Sequence, residues 1–214
     1  SLMVFLAPPE RINPVTQFPG WKETPEQRMT RYEEIAEDMY SVLYDPTVKV
    51  PYGGRLGRSN SAALMLSIAF MESGFVADVD KGPCYRGPGF RTRCDGGMAV
   101  GMFQARLDGG VTLLSIHGVA DKTKADLFAD RRLAIRVAVH MVVRSFRAAR
   151  LLGPQAALNT YASGSPMRGQ AEASKRLSLA RRLLANRPSP WKEDELVVPS
   201  KLPATRQRPG SVIN

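Results

Sequence analysis

A mainly α-helical (α+β) domain is what this sequence predicts, and three observations carry the prediction. Apolar residues recur at three- and four-residue spacing over several long segments. No run alternates apolar and polar residues as a half-buried strand does, and the one stretch that suits a small β ribbon is glycine-rich, between residues 74 and 111. Apolar residues make up 43% and charged residues 23% of the 214, enough for one domain with a sizeable core and unlike a disordered or membrane composition.

The elements follow in order. Residues 1–25 hold five prolines and little periodicity, which predicts an extended N-terminal arm over the surface. A first helix is expected over Pro25–Leu43, with Thr24 as N-cap, Pro25 at the first position, and Met29, Tyr32, Ala36, Met39 and Leu43 on one face. "DPTVKVPYGGRLGR" (45–58) reads as a loop. Ser59 or Asn60 then caps an apolar helix over 61–72, which Gly74 ends in a left-handed turn. The glycine-rich stretch that follows is too long for an ordinary connection, and long loops within compact domains are usually functional.

From about Lys122 to Leu152 the pattern is one long helix. Arg132, Arg136, His140, Arg144 and Arg147 line one stripe, read as a solvated face in preference to an anion grip. Gly153-Pro154 stops it, a short helix ends in "LNTYASG" (158–164), and a further helix covers 169–186 with Lys175, Arg176, Arg181 and Arg182. The domain is placed at 26–187, and the proline-rich tail 188–214 reads as a linker or wrapped extension.

A net charge of +10 and a pI near 10.0 point to a polyanionic partner. No zinc-finger, RRM or basic-zipper pattern is present, so charge alone argues for a nucleic-acid-binding helical protein; that stays a minor alternative and no nucleic acid is expected. The opening "SLMVFLAPPE" lacks basic residues ahead of its apolar ones and makes a poor signal peptide. No run approaches the roughly 18–20 apolar residues that span a bilayer. Cys84 and Cys94 form a C-x9-C pair without two further ligands for zinc; a loop-closing disulfide in an oxidising compartment and two buried thiols both remain open. His117 and His140 are read as structural, and no metal or cofactor is expected. Trp21 and Trp191 lie outside the core segments and are read as anchors for arm and tail.

Glu72 is the residue whose placement calls for chemistry. It ends the apolar run "SAALMLSIAFM", where desolvation penalises the charged carboxylate and suits a general acid at neutral pH. Glycosidases use such a group to protonate the departing glycosidic oxygen. The competing reading is a helix-terminal Glu satisfied by backbone or arginine. In "CDGGMAVGMFQ" (94–104), glycines allow close approach of backbone to a ligand, and Gln104 offers an amide to sugar hydroxyls.

Three phrases in this order, "ES" (72–73) after an apolar helix, "GMAVGMFQ" (97–104) and "LNTYASG", resemble the landmarks of the lysozyme-like superfamily of goose-type lysozymes and soluble lytic transglycosylases. The resemblance covers roughly residues 60–165 and implies a helical domain with a small β element beside a sugar-binding cleft. It implies peptidoglycan as substrate, cleaved at the N-acetylmuramic acid–N-acetylglucosamine β-1,4 bond. By position Glu72 matches the catalytic acid and Ser73 its support. Gly101, Met102, Phe103 and Gln104 match the cleft-floor segment, and Tyr161 the tyrosine packed near the acid. Ala162 stands where the family usually carries asparagine.

Asp95, nine residues before Gln104, matches the aspartate that positions water in goose-type enzymes; Asp78 and Asp80 are weaker candidates. Such inverting hydrolysis places the carboxyls roughly 6.5–9.5 Å apart. A turn-forming Asp ahead of Gly96-Gly97 is the plainer reading of Asp95. Lytic transglycosylases need no second carboxylate, because the muramoyl C6 hydroxyl attacks internally. The resemblance thus implies a monomeric, periplasmic or secreted, bacterial or phage muramidase acting within an anionic envelope. A lytic transglycosylase and a non-catalytic wall-binding protein on the same fold are the alternatives.

Overall fold

The computed structural model describes residues 2–11, 22–53, 56–80, 99–106, 119 and 121–186, the side chain of Arg106 excepted. Cys84, Cys94, Asp95, His117, Trp21, Trp191 and the tail 188–214 lie outside the described residues.

The described chain is mainly helical. Its elements are α1 (Leu2–Leu6), α2 (Pro25–Leu43), α3 (Gly57–Ser73), α4 (Ala77–Asp80), a β1 (Ala99–Val100)–β2 (Ala105–Arg106) hairpin, α5 (Lys124–Ala129), α6 (Arg131–Ala148), α7 (Gly153–Ser163) and α8 (Gln170–Ala185). The most extensive packing is of α3 on α8, followed by α6 on α7, α7 on α8 and α2 on α6. Ile35, Leu64, Met65, Ile68, Ile135, Leu158 and Leu183 meet at the centre with no exposure. No helix among the described residues is long and apolar enough to cross a membrane.

Helix α2 forms where the sequence places it. Thr24 and Gln27 make a reciprocal capping box, the Gln27 N–H donating to Thr24 Oγ1 at 3.2 Å and the Thr24 N–H to Gln27 Oε1 at 2.9 Å. Helix α3 is apolar almost all round, as a buried helix must be. Its serines are satisfied locally: Ser67 Oγ donates to the Leu64 carbonyl at 2.7 Å, and Ser61 Oγ accepts the Tyr52 N–H at 3.1 Å.

Three expectations are corrected. The arm is not extended at its start, because the apolar "LMVFL" coils into α1 and buries Met3. Helix α3 begins at Gly57, earlier than the expected cap; Leu56 is its N-cap, without a side-chain hydrogen bond, and Ser59 instead meets the Tyr44 hydroxyl at 3.3 Å. A β-carbon at Gly57 would stand 2.4 Å from the Tyr52 carbonyl oxygen, so this glycine serves a close approach where it reads as a loop-former. The expected long helix is divided between α5 and α6 at Asp130, whose extended backbone (φ −125°, ψ 103°) lets its side chain cap α6 by accepting the Leu133 N–H at 3.1 Å.

A buried ion network ties α2, α4 and α6 together. Asp80 accepts from Arg131 Nε and Nη2 at 3.0 Å each, and from Arg31 Nη1 at 3.5 Å. Arg131 also reaches Asp38 at 2.7 Å, and Arg31 grips Glu23 through Nη2 at 2.7 Å. Burial works against the Arg131 charge, yet Asp80 and Asp38 outweigh it and hold the guanidinium above its usual range. Asp80 is thus committed to structure, which removes it as a water-positioning candidate.

Candidate active site

Glu72 stands one residue before the end of α3, and the chain beyond it is fixed by unusual backbone. Gly74 (φ +58°) closes the helix, its N–H donating to the Phe70 carbonyl at 2.7 Å, as its type predicts. Phe75 is also left-handed (φ +54°), a conformation costly for a residue with a β-carbon. It is held by complete burial, by ring contacts with Tyr32 and Phe70 at 5.8 Å, and by Arg31 Nη2 donating to its carbonyl at 2.8 Å. Ser73 Oγ donates to the Ala69 carbonyl at 2.7 Å and accepts the Phe75 N–H at 3.2 Å. Ser73 therefore supports the backbone that carries Glu72.

The glycine segment forms the hairpin turn. Val100 pairs with Ala105, Gly101 adopts φ +63°, and Gln104 adopts φ +48°. The Gln104 N–H and Nε2 both donate to the Gly101 carbonyl, at 3.0 and 2.9 Å, so the amide foreseen for sugar hydroxyls is engaged in closing its own turn. Met102 and Phe103 point into the main core.

Tyr161 on α7 joins the two phrases. Its hydroxyl donates to the Phe103 carbonyl at 3.0 Å. Burial raises its pKa well above the usual phenol range; the Glu72 charge raises it further and Arg176 opposes. The phenol thus stands in the field of Glu72, and the helix end, the glycine turn and the "TYASG" helix meet around it. Ala162 is exposed near the end of α7. Buried Asn159 closes the loop after α7 by donating Nδ2 to the Pro166 carbonyl at 2.7 Å. Tyr161→Phe is expected to lower stability by about 1–3 kcal/mol, since the Phe103 carbonyl loses its donor. Thermal unfolding would register this as about 2–4 °C per kcal/mol for a chain of this size.

The competing reading of Glu72, a helix-terminal carboxylate satisfied by an arginine, is what is found, although the sequence did not single out Arg176 as that arginine. Its Nη2 donates to Glu72 Oε1 in a close ion pair that joins α8 to α3. Arg176 is 5% exposed, and its Nε and Nη1 have no hydrogen-bond partner among the described residues. The Glu72 side chain is 22% exposed. Contact with a guanidinium favours the ionised carboxylate, opposing the effect expected from the apolar surroundings. The signal was there in spacing: Ala173, Arg176, Ala180 and Leu183 form the buried stripe of α8, whereas Lys175, Arg181 and Arg182 lie off it.

No protein family, no curated protein and no solved structure matches this chain.

Proposed function

We propose that this chain is a glycosidase cleaving the N-acetylmuramic acid–N-acetylglucosamine bond of peptidoglycan, with Glu72 protonating the bridging oxygen. One observation carries the reading: Tyr161 hydrogen-bonds Phe103 while its phenol feels the charge of Glu72, so three phrases far apart in sequence converge on one carboxyl. Ser73 and the Gly74-Phe75 turn fix the root of that side chain, as a proton donor of defined reach requires. To donate, Glu72 must carry a proton, whereas the ion pair with Arg176 favours its charged form; in this mechanism the incoming sugar parts the pair and desolvates the carboxyl. Asp95 is assigned to position the attacking water.

The same ion pair favours a second reading, a wall-binding protein in which Glu72 and Arg176 serve only to join α3 and α8. Digestion of purified sacculi in ¹⁸O-labelled water, followed by mass spectrometry, separates the outcomes. Labelled reducing ends are expected for the hydrolase. Anhydro ends would assign a lytic transglycosylase and release Asp95 from its role. Sacculi that bind the protein but stay intact would establish the second reading.

A further inference from the structure

At the opposite end of α3 from Glu72 lies a groove of about 960 Å³, walled by the 46–53 segment, the start of α3, the end of α6 and the start of α7. Lys49, Arg58, Arg147 and Arg150 line it, and among the described residues no acidic one does. Earlier on α6 the cations are neutralised: Arg131 by Asp80, Arg132 by Asp38 and Arg136 by Asp45. Asp45, the acid close to Arg58, is already bound by Thr47 and Arg136. Among the described residues no ion pair involves the four groove cations. Helices α3 and α7 both start at this groove without a side-chain cap, so their positive dipole ends add to its charge.

The rim is apolar and uncovered. Leu151 is 88% exposed and Leu152 61%, in the turn leading into α7, and Leu56 is 45% exposed at the N-cap of α3. Three leucines held in water beside a cationic hollow suit an interface that is apolar within and anionic at its surface. An extended polyanion would use the cations alone and gain nothing from the leucines.

We propose that this end of the molecule docks on a bilayer containing anionic phospholipid, with lipid phosphates in the groove and the leucines entering the interface. None of these residues belongs to the Glu72 site, so the inference stands whether or not the chain is a glycosidase.

Co-sedimentation of the whole chain with vesicles tests it. Binding is expected to equal parts of phosphatidylcholine and phosphatidylglycerol, to fall with added salt, and to be absent with phosphatidylcholine alone. Arg147→Gln with Arg150→Gln should weaken binding by about five-fold per charge, roughly 25-fold together. Leu151→Ser with Leu152→Ser should weaken it by about ten-fold or more. All four side chains are exposed, so both variants should melt with the wild type, and a matched melt keeps the comparison valid. Failure to sediment with the anionic vesicles overturns the proposal. So does full binding by the leucine variant, or retention of duplex DNA or wall polymer by a protein that ignores the vesicles.

Discussion

Glu72→Gln is expected to slow sugar release from purified peptidoglycan by about 10²–10⁴-fold, the range a positioned general acid contributes. Glutamine keeps the shape of the side chain, and its Oε1 can still accept from Arg176 Nη2, so the group stays in place while its acidic proton is lost. The substitution also leaves the buried Arg176 guanidinium without its counter-charge, which costs stability as well as activity. Arg176→Gln separates the two effects, because it breaks the same ion pair but retains the acid. Turnover should survive in Arg176→Gln and show the full slowing only in Glu72→Gln, each assayed below its own melting temperature. Undiminished release by Glu72→Gln would sink the proposal.

Asp80→Ala should destabilise the fold by about 3–5 kcal/mol, the range for removing one partner from a buried ion pair. Asp80 is 6% exposed, and its loss removes a shared carboxylate from two guanidiniums, leaving Arg31 with Glu23 and Arg131 with Asp38. Thermal unfolding would read this as a drop on the order of 10 °C. Arg132→Ala provides the contrast: this residue is exposed and pairs with Asp38 at the periphery, and its removal should change stability by less than roughly 0.5 kcal/mol. Equal, small effects for both would mean that the network contributes little.

The helices were legible where local chemistry dictates them. Thr24-Pro25 starts α2 and Gly74 stops α3 because capping geometry is settled within a few residues. The start of α3 was hidden because Gly57 resembles a loop glycine until the Tyr52 carbonyl is seen pressed against it. The break at Asp130 was hidden because apolar spacing runs on through it, although an aspartate three residues ahead of Leu133 is an ordinary cap. The buried arginines were illegible for a different reason. Arg31 is buried and Arg131 mostly so because Glu23, Asp38 and Asp80 neutralise them, and those partners are brought together only by tertiary packing. At the candidate site the sequence named Glu72, Ser73, Phe103 and Tyr161, which the fold gathers, but not the Arg176 charge that confronts the first of them.

The length of α3 has a consequence for reach. At about 1.5 Å per residue, Arg58 and Glu72 are separated along the helix by roughly 21 Å. On the two proposals above, with its leucine-rimmed foot resting on lipid, that rigid strut would set the height at which a glycan strand is cut, sparing polymer that lies flat against the bilayer.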